Sequence, residues 1–555
     1  MIDLRRSGRV RDPSHGYVTF TGLERAILDH PVAQRLRHIS QSGMAQLVFP
    51  EVRSSRFAHS LGAMHLASRF LASALHNADN AVRGDIEDRM TAAISELWRM
   101  GLNREVRGQV EADLGRQGLR AGAAVSNENR AYALLIEQGL RLAALFHDLG
   151  HLPFSHDFEY ALDTAVRKHV QEGGQSLPTL ALVGRLAIHE TIGYKLATLL
   201  EHDIFSKLQP PQWVETTFLL AEKILNTHAE LDPDREPGLG GPANRVEGLF
   251  QWLHSFVASE LDVDRCDYIL RDTRHYGLEF VSFDLDRLVD HVVACRAATV
   301  PDALFNAVLP QGQSALESFV IARYRMYQWG IFHHKVQQAA AALQKSTRAI
   351  LVEALRDHRH QVATFLADLE AISASGNADR FLEEHPDVLD RFAGYDDVWW
   401  TSVLRQQARD YPDNPWLQLV CRRKPGPCSL WKRRLDFPPS LEDFNRALPR
   451  PSDDEQEIAW QREVDQLEEQ GVLVLRHRFQ PWKSRNATST GPSALSIRQS
   501  DGRTIALSEL SYLIQGLHES WMNEVQVHAF SQREEEVSPE EVVKRLMQTT
   551  ATEAT

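Results

Sequence analysis

The chain has 555 residues, 43% of them hydrophobic and 25% charged, with 61 Lys and Arg against 75 Asp and Glu for a formal net charge of −14. The length suits about two to four domains. The composition is that of a folded globular protein, and the acidic balance argues against a dedicated duplex-DNA binder, whose affinity comes from neutralising phosphates. Cys266, Cys295, Cys421 and Cys428 are too few in so long a chain for a disulfide framework. The opening MIDLRRSGRV lacks the apolar stretch of a signal peptide. No run of about 18 apolar residues predicts a membrane-spanning helix. A cytoplasmic protein with no membrane partner is the expectation.

Helical periodicity dominates the first two thirds. RAILDHPVAQRLRHISQSG (25–43) sets Ile27, Leu28, Val32, Leu36 and Ile39 on one helical face, interrupted near Pro31. Longer helices are predicted over 59–76 and 133–150, the second stopping at Gly150. Residues 77–132 between them are charged and helix-prone with few large apolar side chains, which predicts a surface lobe. Further helices are predicted over 187–202, 246–273 and 314–355. After about residue 360, SASGNA and PGPC punctuate the pattern. An acidic helix is expected over 453–470 and strands over 471–479 and 493–507, the latter turning at Asp501-Gly502. The tail from about residue 531 is expected to be mobile. The pattern as a whole predicts a mainly α fold with a smaller mixed α+β C-terminal region.

Residues 145–156 read LFHDLGHLPFSH, four proton- or metal-binding groups among leucines and phenylalanines. A buried polar group costs free energy unless it is paired, so these side chains either satisfy one another or hold something. Adjacent helix positions point about 100° apart, so His147 and Asp148 share a metal only if other ligands approach from separate helices. RFAHS supplies His59 beside Arg56, and ELDVDRCDY supplies Asp262, Asp264 and Asp267. Two imidazoles with two carboxylates form a mixed N/O site that suits Mn, Fe, Ni, Zn or, less comfortably, Mg. His151 shares the face of His147 if the helix continues that far.

The joint order of RFAHS, HDLGHLPFSH, IHE and DVDRCDYILRD resembles the HD-domain phosphohydrolase superfamily, and most fully its deoxynucleoside triphosphate triphosphohydrolase branch. The likeness also takes in RDPSHGYVTF (11–20), HPVAQRLRHISQSG (30–43), VFPEVRSSRFAHSLGAMHLA (48–67), RDTRHYGLEF (271–280) and ARYRMYQWGIFHHK (322–335). Beyond residue 340 it is diffuse, through YDDVWWTSVL and CRRKPGPCSLWKRR. It implies an HD domain over 1–360 with a helical insert at 77–132, followed by a C-terminal α+β region over 361–555.

The resemblance implies that His59, His147, Asp148 and Asp264 bind one divalent metal ion per active site (Mg, Mn, Fe, Ni or Zn). It puts His151 beside the phosphate on the sugar. It puts His156 and His189 against the scissile phosphate, one of them donating a proton to the leaving oxygen, with Glu159 as the acid that orients such a histidine. Arg56 and Arg265 are the implied phosphate contacts, with Arg323, Arg325 and Lys335 as further cations. Arg265 stands where relatives often carry lysine, and its bidentate fork still binds phosphate. Arg323 and Arg325 lie two apart on a helix, so one of them reaches substrate. Gln41 and Asp272 resemble residues that hold the sugar 3′-hydroxyl. Tyr268 resembles the residue beneath the sugar, where a close aromatic leaves no room for a 2′-hydroxyl. Ser42 replaces a leucine near the base, so the likeness does not fix base preference. Asp29, Gln34 and Arg37 match an activating-nucleotide pocket between subunits, which implies a homo-oligomer. Read alone, the same three residues equally cap and pair along a helix.

The implied reaction is attack of metal-activated water on the α-phosphorus of a dNTP, releasing deoxynucleoside and triphosphate. One alternative keeps the metal site and changes the substrate to a nucleoside monophosphate, a signalling nucleotide or a single-stranded nucleic-acid end. Asp272, Tyr268 and Gln41 favour the dNTP. Another is a nucleotide-sensing scaffold that recruits a protein partner through the insert or the C-terminal region, which the intact His59, His147, Asp148, Asp264 and His189 oppose.

Overall fold

The computed structural model describes residues 7–98, 102–174, 188–207, 210–227, 242–298, 300–357, 361–438, 440–448, 454–476, 495–521, 524–531 and 537–549, and the fold is mainly α. It opens on a hairpin that the apolar pattern does not predict, β1 (Gly8–Asp12) and β2 (Gly16–Phe20), paired antiparallel in the register Asp12↔Gly16. Asp12 closes the turn by accepting the amides of Ser14 (2.8 Å) and His15 (3.0 Å), and Gly16 takes the positive φ (+73°) that the turn needs. Helix α1 (Gly22–Leu28) starts at a capping box between Thr21 and Glu24. The apolar face then breaks at Pro31, as predicted, into two short helical turns, Pro31–Gln34 and Arg35–His38.

Helix α2 (Arg56–Asn77) is N-capped by Ser55 and runs through the core, with Met64, Ala67, Phe70 and Leu71 buried. The stretch after it is not a surface lobe. Its helices α3 (Asn80–Trp98) and α4 (Arg104–Leu114) send Ile86, Met90, Ile94, Val110 and Leu114 into the main core. An apolar residue every fourth position is enough to bury one face even when the rest of the helix is charged.

Helix α5 (Arg130–Phe146) stops four residues before the expected Gly150, so His151 is not on it but in the loop that leads to α6 (His156–Gln171). Helices α7 (Ile188–Lys207) and α8 (Gln212–Asn226) follow. The helix expected over 246–273 is two helices, α9 (Arg245–Val257) and α10 (Val263–His275), parted where Asp262 caps α10 by accepting the Arg265 amide at 2.7 Å. Strands β3 (Val292–Arg296) and β4 (Leu304–Val308) were not foreseeable from alternation, because both of their faces are largely buried. The helix expected over 314–355 is likewise interrupted, by a π turn at Tyr327–Ile331 between α11 (Gln313–Met326) and α12 (His334–Arg356). Helix α13 (Asp397–Asp410) packs beyond α12.

One hydrophobic core runs from Val18 to Leu417 and also takes in Ile497, Leu507 and Ile514, so the boundary expected near residue 360 falls inside it. A second core unites Trp431, Phe444, Trp460, Leu467, Ala529 and Leu546. The strands Val472–Arg476 and Val527–Ser531 pair antiparallel, and Leu473, Leu475 and Phe530 meet Ala340, Ala341 and Ala342 of α12. The predicted hairpin is present as Ser496–Arg498 and Thr504–Ala506, with Gly502 at φ +86°, and it extends the β3–β4 pair through Val308↔Ile497. The ends of both predicted strand segments, 477–479 and 493–494, lie outside the described residues. The tail is not mobile over 537–549, where helix Pro539–Gln548 buries Val542, Val543 and Leu546 in the second core. Among the described residues no helix is long and apolar enough to cross a membrane.

Candidate metal centre and the histidine cluster beside it

Three elements converge on one point. The first turn of α2 brings His59, the end of α5 brings His147 and Asp148, and the first turn of α10 brings Asp264. His59 Nε2 stands 3.0 Å from Asp264 Oδ1 and 3.5 Å from Asp148 Oδ2; His147 Nε2 stands 3.4 Å from Asp148 Oδ1 and 3.9 Å from Asp264 Oδ1. Both Nε2 atoms are buried, and neither is angled to make an ordinary hydrogen bond to the carboxylates it faces. Buried imidazole nitrogens so placed are uncommon, and His59, His147 and Asp148 lie close enough together to hold a divalent metal ion, with Asp264 beside them. His147 Nδ1 donates to the Ala144 carbonyl (2.7 Å) and His59 Nδ1 to Asp267 Oδ2 (2.8 Å). Each ring is thereby held in the tautomer that turns its Nε2 lone pair to the centre. Burial opposes charge on His59, yet Asp264, Asp267 and Asp148 raise its pKa to about 10. Asp264 is a third exposed (33%) and marks the open side.

Arg56 is buried against Asp148, with Nη1 donating to Oδ2 at 2.8 Å. Burial would raise the Asp148 carboxyl, but Arg56 and the neighbouring histidines hold it well below the ordinary range. Beside this centre lies the second cluster, built on Glu159 in the first turn of α6. His151 Nδ1 donates to its Oε1 (2.9 Å), His189 Nδ1 donates to its Oε2 (2.8 Å), and His156 Nδ1 lies 3.6 Å from the same Oε2. The rings of His151 and His189 stack at 4.0 Å. Their charge states diverge. Burial, Arg56 and His189 push His151 down to about 3, whereas for His189 the Glu159 carboxylate outweighs burial and raises the pKa. His156 is the exposed member. His151 Nε2 stands 3.1 Å from Asp148 Oδ1, which joins the two clusters.

The loop between His147 and His156 is strained and clamped. Phe154 and Ser155 both take positive φ (+57° and +58°), a region costly for side chains with a Cβ. Asp397 of α13 holds it there, accepting the Phe154 amide at 2.6 Å and the Ser40 amide at 2.9 Å. Arg56 Nε donates to Ser155 Oγ (3.0 Å). Arg35, fully buried, donates to the carbonyls of Leu149 (3.0 Å), His151 (2.8 Å) and Tyr395 (2.9 Å).

The remaining sequence candidates are placed less uniformly. Asp272 accepts hydrogen bonds from Ser54 and Ser42, and burial pushes its carboxyl up. Gln41 keeps a buried Oε1 without a hydrogen-bond partner, and Tyr268 sets its hydroxyl 3.4 Å from that of Tyr327. Arg265 is tied to Asp262 and Arg323 to Glu260 (2.9 Å). Arg325 is exposed and lines a separate groove with Phe280, Trp329 and Leu513, and the exposed Lys335 reaches Gln338 at 3.1 Å. Gln34 and Arg37 are brought together at 2.6 Å, while Asp29 pairs with Arg25 at 3.4 Å. Sequence reasoning missed Arg35, Asp397, Arg271 and the hairpin residues Asp12 and His15. Four of these lie inside segments quoted for the family likeness (RDPSHG, PVAQRLRH, RDT), and Asp397 lies in the diffuse YDDVWW match, which was the available signal.

A model of the HD domain matches residues 129–235. The deoxynucleoside triphosphate triphosphohydrolase SAMHD1 of Gallus gallus is 28% identical over 301 residues, 52% of this chain and 36% of that protein. The SAMHD1 of Bos taurus is 27% identical over 292 residues, covering 52% and 38%. An uncharacterized protein of Methanocaldococcus jannaschii is 24% identical over 337 residues, 61% of this chain and 48% of that protein. The chain spans under half the length of these curated relatives. A crystal structure of a phosphohydrolase from Bacteroides thetaiotaomicron shares the fold, with a TM-score of 0.53 at 20% identity over 95% of this chain and 100% of that one.

Proposed function

We propose that this chain, which carries an HD domain and is similar to the SAMHD1 deoxynucleoside triphosphate triphosphohydrolases, is a metal-dependent phosphohydrolase that splits a dNTP into deoxynucleoside and triphosphate. The observation that carries the reading is the pair of buried imidazole nitrogens, His59 Nε2 and His147 Nε2, facing Asp148 and Asp264 beside a histidine cluster on Glu159. A bound divalent ion supplies a water of lowered pKa and draws charge from the phosphoryl oxygens. The chain does the rest. Arg56 keeps Asp148 ionised. Glu159 keeps His189 protonated against a neutral His151, which makes His189 the stronger candidate to protonate the leaving oxygen; the exposed His156 is the other. Gln41, Tyr268 and Asp272 are the sugar contacts in this reading, and Arg265, Lys335 and one of Arg323 and Arg325 are the further cations, Arg325 being the one that lines a separate groove. Activation by a nucleotide at Asp29, Gln34 and Arg37 in a homo-oligomer belongs to the same reading.

One observation favours a second reading, a substrate with fewer phosphates. Arg56, Arg265 and Arg323 are each already paired with a carboxylate, which leaves less free positive charge than a triphosphate demands. A single experiment separates the two. Purified protein is incubated with Mg or Mn and each dNTP, NTP and nucleoside monophosphate, the triphosphates singly and in mixtures, and the products are resolved. Deoxynucleoside with intact triphosphate is the expected result. Inorganic phosphate or monophosphate as the sole product overturns the first reading, and phosphate release from monophosphates alone establishes the second.

A further inference from the structure

We propose that His15 is a positioning residue of the metal centre, so that the N-terminal hairpin is a working part of the site. The inference rests on the metal-site reading above and is independent of the substrate. Asp267 lies three residues after Asp264 on α10, is wholly buried, and gathers four donors. Arg271 donates Nε to its Oδ2 and Nη2 to its Oδ1, both at 2.9 Å. His59 donates Nδ1 to Oδ2 at 2.8 Å, and His15 donates Nε2 to Oδ1 at 2.5 Å. Arg271 in turn donates Nη1 to Asp12 Oδ2 at 2.7 Å. The hairpin turn therefore grips Asp267 twice, directly through His15 and indirectly through Asp12 and Arg271. Asp267 is the group that fixes the tautomer and ring angle of His59, and outer partners of this kind govern how well a ligand presents itself.

Two further observations separate this from ordinary packing. His15 Nδ1 is buried with no hydrogen-bond partner, so the ring is not placed to satisfy its own polar atoms. It is placed for the bond to Asp267, with the His65 ring 5.7 Å away. Helix α2 carries Gly62 between His59 and His65, where glycine weakens a helix. A Cβ at that position would come within 1.8 Å of Asp267 Oδ1. The helix that presents His59 is thus relieved of a side chain at the point where the carboxylate of Asp267 presses on it.

The test uses the full chain with His15→Ala, His15→Leu and His15→Gln, and a His59→Ala control. Mn2+ stoichiometry and dissociation constant are measured by competition with a chelator, alongside the melting temperature of the chelator-treated protein. His15→Ala and His15→Leu are expected to weaken Mn2+ binding by about 10–100-fold. His15→Gln, whose amide still donates to Asp267, recovers most of the affinity. Leucine keeps the volume of the ring, so a loss in His15→Leu with an unchanged melting temperature reports the hydrogen bond and not the packing. Wild-type affinity in His15→Leu overturns the proposal, as does an equal loss in His15→Gln. Absence of Mn2+ binding in the wild-type chain, matched by His59→Ala, overturns the metal-site reading itself.

Discussion

Glu159 accepts a hydrogen bond from His151 at one oxygen and from His189 at the other, yet leaves the two imidazoles in different states, one pushed down and one raised. A raised pKa means that His189 keeps its proton above the ordinary imidazole value of about 6.5 and loses it only as pH rises further. If His189 supplies the proton to the leaving group, turnover falls on the alkaline side of that raised value. Glu159→Gln removes the charge that raises it, so the alkaline limb of the kcat profile is expected to move to lower pH, with a loss of about 10²–10⁴-fold in kcat. A profile of unchanged shape would place the proton donor elsewhere. Asp264→Ala acts differently: metal binding and turnover are expected to vanish together, measured as Mn2+ stoichiometry and product release. These residues were legible in the sequence because each sits inside a dense motif. His15 was not, because a single histidine in a turn shows its meaning only when the fold carries it to Asp267.

At the scale of the element, the loop from His147 to His156 matters most. Its path, with Phe154 and Ser155 in the left-handed region, is imposed by Asp397, which offers one oxygen to the Phe154 amide and the other to that of Ser40. Asparagine has one acceptor where two are needed. Asp397→Asn is expected to cost about 1–3 kcal/mol by stranding a buried amide. Faster hydrogen exchange at Phe154 and a lower kcat with metal affinity retained would check it. The sequence shows that the helix stops but not the path of the loop after it. Gly150 marks a stop, but the helix already ends at Phe146, and the loop that follows is held by Arg35 and Asp397, both distant in the chain. The segment 77–132 misled for a different reason: Ile86, Met90 and Ile94 are few among charges, but they all lie on one face. Pro31 and Asp501-Gly502, by contrast, act through local backbone geometry and were read correctly.

At the scale of the molecule, a smaller apolar cluster on α12, distinct from both cores, joins its small alanines to Leu473, Leu475 and Phe530. The second core is built from residues between Trp431 and Leu546, whereas the proposed metal ligands sit on or beside α2, α5 and α10. Trp431, 1% exposed and donating its indole N–H to the Val527 carbonyl at 2.7 Å, anchors that second core. Trp431→Ala is expected to cost about 3–5 kcal/mol and to lower the melting of the C-terminal part as a separate calorimetric transition. Mn2+ binding at His59, His147, Asp148 and Asp264 should persist through that transition. The mainly α character was legible from periodicity, but the place where one core ends and the next begins was not, since contacts such as Ile497 with the main core join residues far apart in sequence.

Arg35 ties these scales together. Its guanidinium joins the turn that carries Gln34 and Arg37 to the carbonyls of Leu149 and His151 and to that of Tyr395. A guanidinium is planar and stiff, and this one is buried. A tilt of that turn is therefore expected to strain the bonds to the carbonyls of Leu149 and His151, a mechanical link, like a crankpin on a shaft, that needs no charge to pass between them.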